Sequence, residues 1–285
     1  MNDLFIRSLS IDWGEIPAPS YVRGITAIAR LDELVFEGPV TVFAGDNGTG
    51  KSTLLEAIAV AAGFNAEGGT RNYRFSTYDD VSELCRAVRL VRGFRRIKVG
   101  SFLRAESFFN VASTAMREYN DDGAMEDWHA ESHGESFLSF ITKYRQPGLF
   151  LMDEPEAALS PQRQLTLLAE IDRLARDGSQ FIVVTHSPIL LGLPGAEILS
   201  FDGNAIHTVK YEDTDSYKVT EMFINGRERV LHHLLGEEKT RAGGTFHRLV
   251  NYKRLSFVSL ERREQIVHAH ALPRFFRVKT QWHFR

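Results

Sequence analysis

Eight consecutive residues, Gly45-Asp46-Asn47-Gly48-Thr49-Gly50-Lys51-Ser52, fit the pattern G-x-x-x-x-G-K-[ST] in full. Glycines at these places let backbone N–H groups converge on phosphate oxygens without a Cβ in the way. Lys51 is placed to reach the β- and γ-phosphates of a nucleotide, and the Ser52 hydroxyl to ligate Mg²⁺, with Thr53 completing the cofactor-binding set. A second group follows downstream, where the apolar run Leu149–Met152 ends in Asp153-Glu154. At the carboxyl end of a parallel strand both carboxylates face a ligand crevice. Asp153 would then hold the Mg²⁺ shell, and Glu154 would polarise the water that attacks the γ-phosphate. The next apolar run, Phe181–Val184, ends in Thr185-His186-Ser187-Pro188. An imidazole there suits a hydrogen bond to the γ-phosphate and orientation of the water. The predicted chemistry is phosphoryl transfer from ATP to water, with Lys51, Glu154 and His186 as its catalytic side chains.

These groups need elements to hold them. Pro39–Ala44 is a compact, β-branched, continuously apolar run, the pattern of a strand buried on both faces. The glycine-rich turn comes next, then Ser52–Ala62, whose Ala and Leu content predicts a helix. Gly148–Met152 and Phe181–Val184 are two more buried strands. Between them Ser160 as N-cap and Pro161 at the first helical position start a helix that Gly178 ends, with Leu165, Leu168, Ile171 and Leu174 on one face. Strand–helix–strand with continuous apolar strands predicts a parallel α/β sheet. The first 44 residues read as short strands with turns, including Leu4–Ile11. Asp79-Asp80 is expected to cap a helix running to Gly93, with Val81, Leu84, Val88 and Val91 on one face. A second helix is expected between Glu106 and Tyr119, and a solvated loop from Asp121 to Glu131.

Composition narrows the class. The 285 residues are 43% hydrophobic and 25% charged, the profile of a folded chain. A single cysteine, Cys85, cannot form an internal disulfide, which points to a reducing compartment. The start, Met1-Asn2-Asp3-Leu4, has no basic-then-apolar leader pattern, and no apolar run approaches the roughly 20 residues a membrane span requires. A cytoplasmic protein without direct membrane insertion is expected. The net charge of −3 divides unevenly: residues 1–235 carry −10 and residues 236–285 carry +7. That shift predicts a boundary near Gly236.

Taken in order, the phosphate loop, Ser132-His133-Gly134-Glu135-Ser136, Asp153-Glu154 and His186 resemble the ATP-binding-cassette class of P-loop ATPases. The likeness is to its non-transporter branch, which includes Rad50, SMC and RecF heads, and within that to small bacterial predicted ATPases. Ser132 and Gly134 match the cassette signature, while His133 and Glu135 depart from it. The resemblance covers about residues 1–235. It implies a P-loop α/β fold with a mixed, largely parallel sheet, a small N-terminal antiparallel portion, and a short helical lobe at roughly 63–130. It implies ATP and Mg²⁺ as cofactors and an ATP-dependent, head-to-tail homodimer. Ser132 and the N-terminus of its following helix, at Ser136–Ile141, would bind the γ-phosphate held by the other subunit, and Ala158-Leu159-Ser160-Pro161 would cross the interface. The family's glutamine loop should follow a strand at Ile97–Leu103, but Arg104-Ala105-Glu106-Ser107 contains no Gln, leaving Glu106 or Arg104 to substitute.

The biological output is less defined. Arg86, Arg89, Arg92, Arg95, Arg96 and Lys98 recur at near-helical spacing and suit either a nucleic-acid surface or a solvated helix face paired with acidic neighbours. A soluble ATP-driven switch acting with nucleic acid or an effector protein, in repair or defence, is the leading expectation. The ATPase subunit of a transporter, or a nucleotide-binding scaffold, are the alternatives. The tail after residue 235 interleaves basic, aromatic and histidine residues, including His268 and His270, without apolar periodicity.

Overall fold

The computed structural model describes residues 4–70, 82–104 and 133–235, with 133–137 described through their backbone alone. The expected helix between Glu106 and Tyr119, the 121–131 loop, the Asp79-Asp80 cap, Ser132 and the basic tail lie outside the described residues.

In chain order the strands are β1 (Ile6–Ile11), β2 (Glu33–Val35), β3 (Val40–Ala44), β4 (Gly69–Thr70), β5 (Val88–Arg92), β6 (Gly100–Arg104), β7 (Leu149–Asp153), β8 (Gln180–Val184), β9 (Glu197–Ser200) and β10 (His207–Thr208). The helices are α1 (Thr26–Ala29), α2 (Lys51–Ala62), α3 (Leu84–Ala87), α4 (His133–Thr142), α5 (Pro161–Arg176), α6 (Pro188–Leu191) and α7 (Asp215–Leu235). Seven strands form one sheet in the order β10-β9-β3-β8-β7-β6-β4. Its five central strands are parallel, and β10 and β4 close the edges antiparallel. The fold is mixed α/β with a mostly parallel sheet flanked by helices.

Every residue of β3, β7 and β8 is buried, as continuous hydrophobicity requires of strands covered on both faces. The period of two then sorts their side chains into two cores. Phe43, Leu149, Leu151, Ile182 and Val184 face the side of α2 and β1. Val40, Val42, Phe150, Met152, Phe181 and Val183 face α5, whose Leu167, Ile171 and Leu174 are fully packed. The apolar stripe of α5 runs through Leu167 rather than the expected Leu165, which is 57% exposed. The Ser160 cap is as predicted: its side chain accepts a hydrogen bond from Arg163 N.

A second, three-stranded antiparallel sheet, β2-β1-β5, makes the small N-terminal portion. Its third strand corrects the sequence reading. Residues 84–91 are not one helix: α3 is a single turn, and Val88–Arg92 leaves it as a strand paired to β1. Val88 and Leu90 turn inward while Arg89 and Val91 turn outward, a period-two pattern in β-branched residues that favours a strand. The described residues 63–70 and 82–104 therefore supply strands to both sheets, where the sequence reading expected a helical lobe over 63–130. The arginine stripe is likewise not a helix face. Arg89 pairs with Asp12, Arg92 donates to the Ala61 carbonyl, and Arg95 donates to the Gly178 carbonyl beneath the Phe5 ring.

Gln180 ties the sheets together, its amide oxygen accepting from Ile6 N and its amide nitrogen donating to Ile6 O, both at 2.9 Å and buried. The chain divides into compact units at Thr220 and Glu221, within α7, which kinks at Gly226.

Candidate functional site

The turn after β3 carries the phosphate-loop residues, and α2 begins at Lys51. Gly45, Gly48 and Gly50 take φ values of +137°, +79° and +95°, which side chains with a Cβ rarely adopt. At Gly50 a Cβ would also come within 2.6 Å of Ile25 Cγ2 and 2.8 Å of Ile28 Cδ1, so the α1 segment packs directly on the loop. Asp46 N donates to Asp202 Oδ1 at 2.7 Å, Asn47 N to Asp46 Oδ1 at 2.8 Å, and Thr49 Oγ1 to Asp46 O at 2.8 Å. Lys51 is buried, and Nζ donates to the carbonyls of Gly45 and Asp46 at 2.8 and 2.7 Å. Burial holds its pKa below the ordinary amine value, opposed by the carboxylates of Asp202, Glu154, Asp46 and Asp153. Thr53 follows in the first turn of α2.

Across the crevice, Ser52 Oγ donates to Asp153 Oδ1 at 2.8 Å. A hydroxyl and a buried carboxylate in contact at a helix N-terminus are the hard oxygen donors that Mg²⁺ takes alongside phosphate and water, so these residues fit that ion. Among the described residues no group of three His, Cys, Asp or Glu side chains forms a metal cage.

Glu154 takes φ +49°, the only positive value at a non-glycine residue among those described. This left-handed turn ends β7, and Glu154 N donates to Val184 O at 2.9 Å. Its carboxylate is half exposed, with Oε1 3.8 Å from His186 Nε2. Nε2 is itself buried and has no hydrogen-bond partner among the described residues. The two predicted side chains at the ends of β7 and β8 thus face each other. A buried ring nitrogen with unused capacity beside a carboxylate can accept or donate one bond to a phosphate or a water.

Several supporting residues carried no motif. Glu156 Oε1 accepts from His186 N at 2.6 Å, fixing the imidazole's backbone from the turn that follows Glu154. Gln164 on α5 accepts from Ser187 Oγ at 2.6 Å and donates to Leu159 O at 3.0 Å. Ser187 in turn accepts from Ile189 N and Leu190 N, capping α6. Asp202, two residues past β9, braces the phosphate loop. Arg104, which the sequence already singled out as a substitute at the glutamine-loop position, ends β6 between Glu56 and Asp153. The available signal for Asp202 was position just past a parallel strand's carboxyl end. Glu156 lies two residues beyond Glu154 and Gln164 four beyond the cap Ser160.

The signature region is partly in view. The helix expected at Ser136–Ile141 begins earlier, at His133, so Gly134 lies within α4.

Residues 89–192 match the family described as "AAA domain, putative AbiEii toxin, Type IV TA system", and residues 21–96 match an "AAA domain" family. An aliphatic sulfonates import ATP-binding protein of Rhodococcus jostii is 29% identical over 174 residues, spanning 59% of this chain and 70% of that protein. A phosphate import ATP-binding protein of Vibrio vulnificus is 28% identical over 239 residues, spanning 70% of this chain and 85% of that protein. Among solved structures, an SMC head domain from Thermotoga maritima aligns with a TM-score of 0.42 at 15% identity, over 73% of this chain and 100% of that one.

Proposed function

We propose that this chain, whose residues 89–192 and 21–96 match AAA domain families, binds Mg·ATP and hydrolyses it. The observation that carries this is the closure of the crevice. Ser52, in the first turn of α2, and Asp153, at the end of β7, meet at 2.8 Å, with Lys51 beside them and Glu154 facing His186 at 3.8 Å. Gly45 to Thr53 cradle the phosphates, and Lys51 exchanges its carbonyl bonds for phosphate oxygens. Ser52 and Asp153 hold Mg²⁺, which supplies charge neutralisation and Lewis-acid polarisation when bound. Glu154 accepts the proton of the attacking water, and His186, its peptide pinned by Glu156, bonds the γ-phosphate.

The wider reading is a cytoplasmic switch whose ATP-dependent homodimer works with nucleic acid or an effector protein, as in repair or defence. The boundary near Gly236, with residues 236–285 as a basic extension, belongs to the same proposal. In that dimer Ser132 and Gly134 of one copy complete the γ-phosphate site of the other. Phosphate release that Glu154→Gln abolishes tests the hydrolysis. Light scattering of the Glu154→Gln protein with ATP and Mg²⁺ tests the dimer: a shift from monomer mass to dimer mass is expected, and an unchanged mass ends that part of the reading.

A second reading is favoured by the names of the relatives, both import ATP-binding proteins. On that reading the chain energises a membrane partner carried on another polypeptide. Co-purification of a membrane protein with the ATP-trapped variant decides for it.

A further inference from the structure

Arg104 is the last residue of β6 and stands in register with Asp153 on β7. Its guanidinium lies between two carboxylates: Nη1 is 2.9 Å from Glu56 Oε2, and Nε is 3.6 Å from Asp153 Oδ2. Nη1 also reaches the Ala66 carbonyl at 3.3 Å, and the cation sits over the Phe102 ring at 5.9 Å. All three charged side chains are largely buried, at 27% exposure for Arg104, 18% for Glu56 and 9% for Asp153. Asp153 is therefore two-faced. Oδ1 meets the Ser52 hydroxyl, where a divalent ion would sit, while Oδ2 meets a fixed cation.

Arg104 thus stands one carboxylate away from the ion-binding face. Its charge cannot be screened there as it would be in water. A permanent positive charge at that distance disfavours a second cation and favours phosphate oxyanions. Glu56, on the phosphate-loop helix, competes with Asp153 for the same guanidinium and so moderates both effects.

Resting on the nucleotide-site reading above, we infer that Arg104 is a built-in counter-ion of this site: it supports phosphate binding without Mg²⁺ and lowers the site's affinity for the ion, under the control of Glu56. Opposite signs on two binding constants distinguish this role from that of a structural brace, whose loss would weaken both.

The test measures binding of a fluorescent ADP analogue, in EDTA and across a Mg²⁺ titration, on the full chain. Arg104→Gln should weaken Mg²⁺-free binding about tenfold and lower the Mg²⁺ concentration for half-effect by a similar factor. Arg104→Lys, which keeps the charge, should stay much closer to the parent than Arg104→Gln on both readings. Glu56→Gln, which removes the carboxylate that competes with Asp153, should raise the Mg²⁺ half-effect concentration. If Arg104→Gln moves both constants in the same direction, or neither, the inference is overturned. Should that variant fail to fold by circular dichroism, Glu56→Gln carries the test, and a half-effect concentration that does not rise overturns it. A parent protein that binds no ADP in either condition would instead overturn the nucleotide-site reading itself.

Discussion

The two walls of the crevice are built differently. The phosphate-loop wall is consecutive in sequence and its side chains close onto its own backbone: Lys51 bonds the carbonyls of Gly45 and Asp46, and Thr49 bonds that of Asp46. The carboxylate wall gathers Asp153, Glu154, Glu156, Gln164, His186 and Ser187 from separate elements and joins them through side chains. A wall bonded to its own backbone depends on backbone conformation, so it fails at a glycine or at its single cation. A wall of side-chain bonds loses function in steps, one acceptor at a time.

The contrast can be broken most forcefully at Lys51. Lys51→Ala should reduce ATP affinity by about 100-fold in isothermal titration, while circular dichroism shows an intact fold. An equal loss of ATP affinity from any single residue of the opposite wall would refute the asymmetry. Next in size, Glu154→Gln should cut phosphate release by about 100-fold or more with ATP affinity nearly unchanged. Glu156→Ala should lower kcat about tenfold at constant ATP affinity by releasing the His186 peptide, and Glu156→Gln, which keeps an acceptor oxygen, should recover most of it. Gln164→Ala leaves the Ser187 hydroxyl and the Leu159 carbonyl without their partner, and thermal melts should register about 1 kcal/mol.

The smallest effect lies where Glu56, between the walls, also meets the Cys85 thiol, with Sγ 3.8 Å from Oε1. Burial first, and the Glu56 carboxylate second, push that thiol from 9.0 up to about 12. Between those values the folded chain holds a proton that the unfolded chain has lost. The stabilisation is complete below pH 9.0 and drains away towards about 12. Cys85→Ala should therefore flatten the alkaline fall in melting temperature relative to the parent. Parallel curves would show that the thiol is not held in this way.

The same contrast explains what the sequence disclosed. The phosphate loop is legible because its chemistry is contiguous, and β3, β7 and β8 because strands buried on both faces are continuously apolar. Asp153, Glu154 and His186 could be found as strand-end residues. Glu156 and Gln164 could not, since their partners lie 30 and 23 residues away and no local spacing records such a pairing. Residues 84–91 misled for a related reason: Leu84, Val88 and Val91 fit a helical stripe, while pairing to β1 selects the strand from Val88. On α5 the cap was readable and the buried face was not, because Leu165, Leu167 and Leu168 are equal candidates until the sheet beneath chooses among them.

The position of β3 has a consequence for the growing chain. This strand is made early, yet both neighbours, β8 and β9, come some 140 to 160 residues later. Gln180, which grips β1, belongs to the same late arrival. A chain emerging from the ribosome therefore holds its phosphate loop on an unpaired, largely apolar strand until residues 180–200 follow. Closing so long a loop is slow. The segment best suited to grasp nucleotide is thus among the last to be set, and synthesis halted before Gln180 would leave it exposed to association with other chains.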